Sequence, residues 1–420
     1  MNNTIKLAVA SALLAAASTA SAAGGIVAGD WTLDIGGNVN AYVISNSSKD
    51  SNVVKGGLAN TTSNVQGSKQ ATSINTGLLP SWIGVTGKSR QNDLDTEFAI
   101  SFQPGASTTH SLAGGGGTEN RQAYISFGDK SWGTILLGKN LGEFGRDAIL
   151  LDQTLLGVGS QGLVGTAGGT TTTLGRIGTG FIYADFQGQA NYTTPNFNGF
   201  QAVVGIVQPI NTLNTGNTAA ADATVADPAA TRSLDASGSQ KAPAFEAKGS
   251  YSFAGDVAGK VWGEVKTQKV DYTATVTNTA TAFGVGANVN VAGFGLVAYY
   301  YDGKGVGTTA WLMDATAANG NKRDSNGGYV QGSYTLPGVG TKLAASWGES
   351  NLHLANGEVA TNSLNSGNLV KKNEMWTVGA YHPLTKHLNL VAEYSNVQAT
   401  NQLGVKNKSD IIDAGAILFF

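Results

Sequence analysis

The feature that most constrains this chain is an alternation of apolar and polar residues, with a period of two, that recurs along its length. In Trp31–Tyr42, the residues Trp31, Leu33, Ile35, Val39 and Ala41 alternate with Thr32, Asp34, Asn38 and Asn40. In Leu94–Gln103, Leu94, Thr96, Phe98, Ile100 and Phe102 alternate with Asp95, Glu97, Ala99, Ser101 and Gln103. The same holds for Ala244–Phe253, where Phe245, Ala247, Tyr251 and Phe253 oppose Glu246, Lys248, Ser250 and Ser252, and for Leu388–Ser395. A period of two gives a strand one apolar and one polar face. After the first segment no stretch is apolar enough for a transmembrane helix, which needs roughly 18 or more such residues. The pattern suits strands standing between lipid and a watery lumen. A soluble sandwich with its apolar face inward gives the same alternation, so period alone leaves both open.

Strand count and loop lengths separate them. Candidate strands fall near 30–45, 72–88, 93–104, 119–129, 131–140, 186–194, 199–208, 241–254, 256–270, 281–292, 293–303, 326–336, 340–350, 372–383, 386–398 and 408–420. That is an even number, 16. Short turns at 88–93, 128–131, 254–256, 292–293, 337–340 and 383–386 alternate with long polar connections at 46–71, 141–185, 209–240, 304–325 and 351–371. A sandwich has no reason to place every long connection at one end. A transmembrane barrel does, with short periplasmic turns and long extracellular loops. The expected fold is therefore all-β: a transmembrane antiparallel β-barrel of 16 strands, occupying 23–420 as a single domain. Ile412, Ala414, Ala416, Leu418 and Phe420 share one face of the last strand, which would pair with the first and leave no edge.

Residues 1–22 read as a cleaved signal peptide: Lys6, an apolar run from Leu7 to Ala17, then Ala20-Ser21-Ala22. Removing Lys6 leaves 25 bases against 28 acids, a net charge of −3, which argues against a nucleic-acid binder. With no cysteine, disulfides and thiol chemistry are excluded. Gly is abundant at 58, yet no G-X-Y period makes the chain collagen-like.

Three segments carry a family resemblance. They are Trp376-Thr-Val-Gly-Ala-Tyr-His-Pro-Leu-Thr-Lys-His-Leu-Asn-Leu-Val-Ala-Glu-Tyr394, Asn120-Arg-Gln-Ala-Tyr-Ile-Ser-Phe-Gly128 with Trp132-Gly-Thr-Ile-Leu-Leu-Gly-Lys-Asn140, and Asn191-Tyr-Thr-Thr-Pro-Asn-Phe-Asn-Gly-Phe200. In order and spacing, with the signal peptide and Phe420, the chain resembles the general trimeric porins of Gram-negative outer membranes, proteobacterial branch. The resemblance implies a homotrimer in the outer membrane, in contact with lipid and lipopolysaccharide, that passes small hydrophilic solutes and ions passively. It also implies a long loop folded into the lumen as a constriction, here about 141–185. The implied constriction residues are Arg121 on the wall and Glu143, Asp147 and Asp152 in the loop. The family's earlier wall arginine aligns with Trp82, and Lys139 stands where the family has another arginine. Three acids against one wall arginine lean the pore toward cations.

Apparent catalytic motifs dissolve on inspection. Thr86-Gly-Lys-Ser89 lacks the leading Gly of a phosphate loop, and Gly157-Val-Gly-Ser-Gln-Gly162 has no βαβ unit around it. His110, His353, His382 and His387 have no metal-ligand spacing. No catalytic residue, cofactor or metal is expected, and the chain does not read as an enzyme. Two other readings remain. One is a substrate-specific outer-membrane channel, for which Tyr299 and Tyr301 would line a solute track; the other is a secreted adhesin or structural barrel.

Overall fold

The computed structural model describes residues 25–420, apart from 51, 53, 60–68, 107–117, 162–171, 214, 216–239, 272–276 and 362–365. The expected signal peptide lies outside the described residues. The strands in chain order are β1 (Ile26–Ala28), β2 (Trp31–Ser48), β3 (Gln70–Asn75), β4 (Trp82–Gln91), β5 (Leu94–Gln103), β6 (Glu119–Asp129), β7 (Gly133–Leu141), β8 (Phe186–Thr193) and β9 (Phe200–Val207). The second half comprises β10 (Ala244–Phe253), β11 (Val257–Asp271), β12 (Thr277–Val291), β13 (Phe294–Lys304), β14 (Asp324–Thr335), β15 (Lys342–Leu352), β16 (Val370–Pro383), β17 (Leu388–Asn401) and β18 (Lys406–Phe419).

Neighbouring strands pair antiparallel around a closed ring. β9 pairs with β10, and β18 closes on β2 with Leu418 opposite Val39, Ala416 opposite Ala41 and Ala414 opposite Val43. Phe420 completes the seam, exchanging backbone hydrogen bonds with Gly37 at 3.0 and 3.1 Å. Closure pairs the last long strand with the first, as a bilayer interior requires. The short β1 pairs with the start of β2 on the edge that β18 takes further along and so continues the place of β18, while β3 and β4 follow one another along the other edge of β2 and share one place in the wall. The wall thus has 16 strands.

One expected strand departs from its sequence reading. The single strand near 72–88 is broken at 76–81, where Pro80 has no N–H to give the ladder. Leu78 instead donates its N–H to the Gly157 carbonyl at 2.9 Å, and Leu79 to the Leu155 carbonyl at 3.2 Å. The break exchanges wall pairing for pairing with a segment inside the barrel.

Local chemistry sets the short turns. Asn92 and Asp93 have φ of 49° and 62°, and Ala292 and Gly293 have 48° and 87°. Positive φ at both central residues is what a two-residue hairpin with the right-handed strand twist needs. Along every strand the apolar set faces outward: Val43, Ile74, Ile100, Ile125, Leu296, Val330 and Ile412 are all exposed. In a bilayer this surface meets lipid. Aromatic side chains pair on it near the short turns, as Phe294 does with Tyr334 at 4.4 Å. They pair again further up, as Trp376 does with Tyr394 at 5.1 Å. The polar set, including Asn38, Asn40, Ser101, Gln189, Glu246, Glu264 and Glu393, faces inward and is buried.

Candidate pore constriction

The connection between β7 and β8 runs through the barrel interior. It begins with Gly142–Gly145, forms a short helix α1 (Arg146–Leu151) and a 3-10 turn (Gln153–Leu156), and returns through Leu174–Asp185. Its apolar side chains explain its course. Phe144, Ala148, Ile149, Leu155, Phe181 and Ile182 are buried against Trp262, Tyr299, Tyr301, Tyr329 and Trp311 from the facing wall and a neighbouring loop. A loop this apolar would expose its surface if it waved in water; inside the barrel it buries it.

Three wall carboxylates grip the loop by its backbone. Glu246 on β10 accepts the Glu143 N–H at 2.6 Å, and Glu264 on β11 accepts the Gly145 N–H at 2.8 Å. On the far side Glu393 on β17 accepts the N–H groups of Val158 and Gly159 at 2.8 and 3.1 Å. Each glutamate is itself held: Glu246 by Lys266 at 2.7 Å, Glu264 by the Tyr299 hydroxyl at 2.7 Å, and Glu393 by the Tyr381 hydroxyl at 2.5 Å. Tyr42 and Tyr329 donate to the Leu156 and Ala148 carbonyls at 2.6 and 2.8 Å. The loop is therefore fastened to opposite walls and crosses the lumen between them.

The charged residues named from the sequence fall around this crossing. Glu143 pairs with Arg146 and Lys248, each at 2.5 Å, and Asp147 pairs with Lys248 at 3.1 Å and Lys260 at 2.6 Å. Burial alone would raise both carboxyls. The neighbouring bases outweigh it and hold each below the ordinary carboxylate value. Asp152 is fully enclosed, 3.5 Å from Arg176, which also bonds Ser346 and the Met375 carbonyl. Arg121 lies at a β-bulge: Ser101 faces Gln122 and Phe102 faces Asn120, leaving Arg121 without a counterpart. Freed from the alternation, its guanidinium lies 2.9 Å from Glu119 and 5.5 Å over the ring of Phe186, at the returning end of the loop. Lys139 stands opposite Ala123 on the outer face and donates to the Asn120 carbonyl at 2.7 Å.

Sequence reasoning missed the partners: Lys248, Lys260, Glu246, Glu264 and Glu393. Their signal was their place on the polar face of an alternating strand. Tyr299 and Tyr301 do point inward, but they are buried beneath the loop rather than lining open lumen.

The comparisons with known proteins agree with this architecture. A family profile described as Gram-negative porin matches residues 8–402. A sequence comparison with curated proteins found no match. Among solved structures, the outer membrane channel DcaP of Acinetobacter baumannii superposes with a TM-score of 0.63 at 16% identity, covering 94% of this chain and 100% of that one. OmpF of Salmonella typhi, in complex with daunomycin, gives 0.57 at 15% identity over 94% and 100%. OmpT of Vibrio cholerae, an outer membrane protein, gives 0.54 at 15% over the same shares. The chain belongs to the Gram-negative porin family. It is an outer-membrane β-barrel whose function is that of a porin, a channel for passive diffusion.

Proposed function

We propose that the mature chain, freed of residues 1–22, works as a homotrimer of water-filled pores. Each pore is narrowed by the segment 141–185 and passes small hydrophilic solutes and ions without a catalytic step or a cofactor. Glu143 and Asp147, with their paired bases, and Arg121 would set the charge of the constriction. Asp152 would act through Arg176 to hold the loop in place. The observation that carries this reading is the fastening of the loop to opposite walls by Glu246, Glu264 and Glu393. A loop so held narrows the lumen at one level and leaves it at a fixed width.

Support for the trimer comes from a Vibrio cholerae OmpT structure described as a trimer form. It comes also from the small, apolar outer faces of β2 and β18, where Val39, Ala41, Ala414 and Ala416 are neighbours across the seam. The remaining outer surface would meet outer-membrane lipid and lipopolysaccharide. A substrate-specific channel is the weaker reading, because the tyrosines that would form its track are packed under the loop.

Liposome swelling with neutral sugars of graded size tests the diffusion reading. Uptake should rise linearly with solute concentration and fall smoothly with solute size. Saturable uptake of one sugar, with others of equal size excluded, would replace diffusion by specific transport.

A further inference from the structure

The constriction carries both signs of charge, but it does not present them equally to water. Lys248 is used up between Glu143 and Asp147, with its side chain 8% exposed. Glu143 and Asp147 are 7% and 13% exposed, turned toward that ammonium group. Glu264 is buried, one of its oxygens accepting both the Gly145 N–H and the Tyr299 hydroxyl. Arg146 and Lys260, which pair with the same acids from the lumen side, keep 30% and 27% of their side chains in water. Of the other charges nearby, Lys88 pairs with Glu97 at 3.6 Å, Arg121 with Glu119 at 2.9 Å and Lys266 with Glu246 at 2.7 Å, and Asp185 lies close to Lys266 and Arg121.

We infer that the constriction offers positive charge to the permeating solute and favours small anions such as chloride, carboxylates and phosphate, with Arg146 and Lys260 as the specificity-determining residues. This deepens the pore reading above and rests on it. It reverses the sign expected from counting loop acids, because selectivity follows the charges that meet the ion rather than the composition of the segment. The acids are spent holding the loop; the bases that neutralise them are the groups left at the water.

The test is the zero-current potential of the purified mature chain in a planar bilayer under a KCl gradient at neutral pH. The wild type should favour chloride over potassium. The double variant Arg146→Gln, Lys260→Gln should move the preference to potassium, and Lys260→Gln alone should move it part of the way. Lys248 remains in both to hold Glu143 and Asp147, so single-channel conductance should stay of the same order. A conducting wild-type channel that prefers potassium, or a double variant that leaves the potential unchanged, would overturn this inference while leaving the pore reading intact. Absence of any conductance would sink both.

Discussion

At the scale of single residues, the inward loop depends on contacts too close to tolerate much change. Gly157 is the sharpest case. A Cβ built there would lie 2.2 Å from the Glu393 carboxyl that holds the next two N–H groups. Gly157→Ala should therefore push the loop off Glu393, at the roughly 1–3 kcal/mol of an overpacked site. The expected readout is a lower thermal midpoint together with noisier open-channel current. Arg176→Ala removes the partner of an enclosed carboxylate, Asp152, and breaking a buried pair from one side costs about 3–5 kcal/mol. Its midpoint should fall further than that of Gly157→Ala; equal stability to wild type would show that Asp152 is satisfied some other way. The sequence made Glu143, Asp147 and Asp152 visible as the acids of its longest connection, the counterpart of the family's constriction loop, and Arg121 through the family motif that begins at Asn120. It hid Glu246 and Glu393, whose partners lie 103 and 235 residues away. Alternation tells which way a side chain points; the height at which two distant strands bring their residues together depends on the closed register.

At the scale of elements, strands were legible because lipid on one side and water on the other enforce the period strictly. Loops were legible only as lengths. The break between β3 and β4 shows the limit: Pro80 marks a fault in the strand, but its purpose, pairing Leu78 and Leu79 with the inward loop, appears only in three dimensions. The extracellular connections are also tied to one another. Arg323 bonds Glu358 through two nitrogens, one at 2.9 Å and one at 2.5 Å, and Glu358 accepts the Ala355 N–H at 2.9 Å. Partial burial would raise the Glu358 carboxyl, but Arg323 and the Ala355 amide together bring it below its usual value of 4.5. A carboxyl depressed in the folded state contributes stability above its unfolded value and loses it as pH falls through the lower folded value. The tie between Arg323 and the connection at Ala355–Glu358 should thus persist through neutral and mildly acid pH and loosen only below that range. Hydrogen exchange at the Ala355 amide, followed from pH 7 downward, checks this, and Glu358→Gln should show the loosened rate already at neutral pH. A rate for that variant equal to wild type would mean the two connections are held elsewhere.

At the scale of the whole molecule, closure turns two-faced strands into a pore. The seam between β18 and β2 closes the ring, the outer face is apolar, and the polar face encloses a lumen crossed by the fastened loop. The fold class could be read from the chain because it follows from period, strand number and loop asymmetry. The sign of the constriction could not, since it depends on which side chains the packed loop turns toward water. The central claim, a trimer of constricted diffusion pores, is tested most directly by single-channel conductance of the purified, folded mature chain in a planar bilayer. The account predicts ohmic steps that close in three equal levels, and a Gly157→Ala channel that opens with more noise through the same levels. A demonstrably folded barrel that conducts nothing, or that always closes in one step, would contradict it.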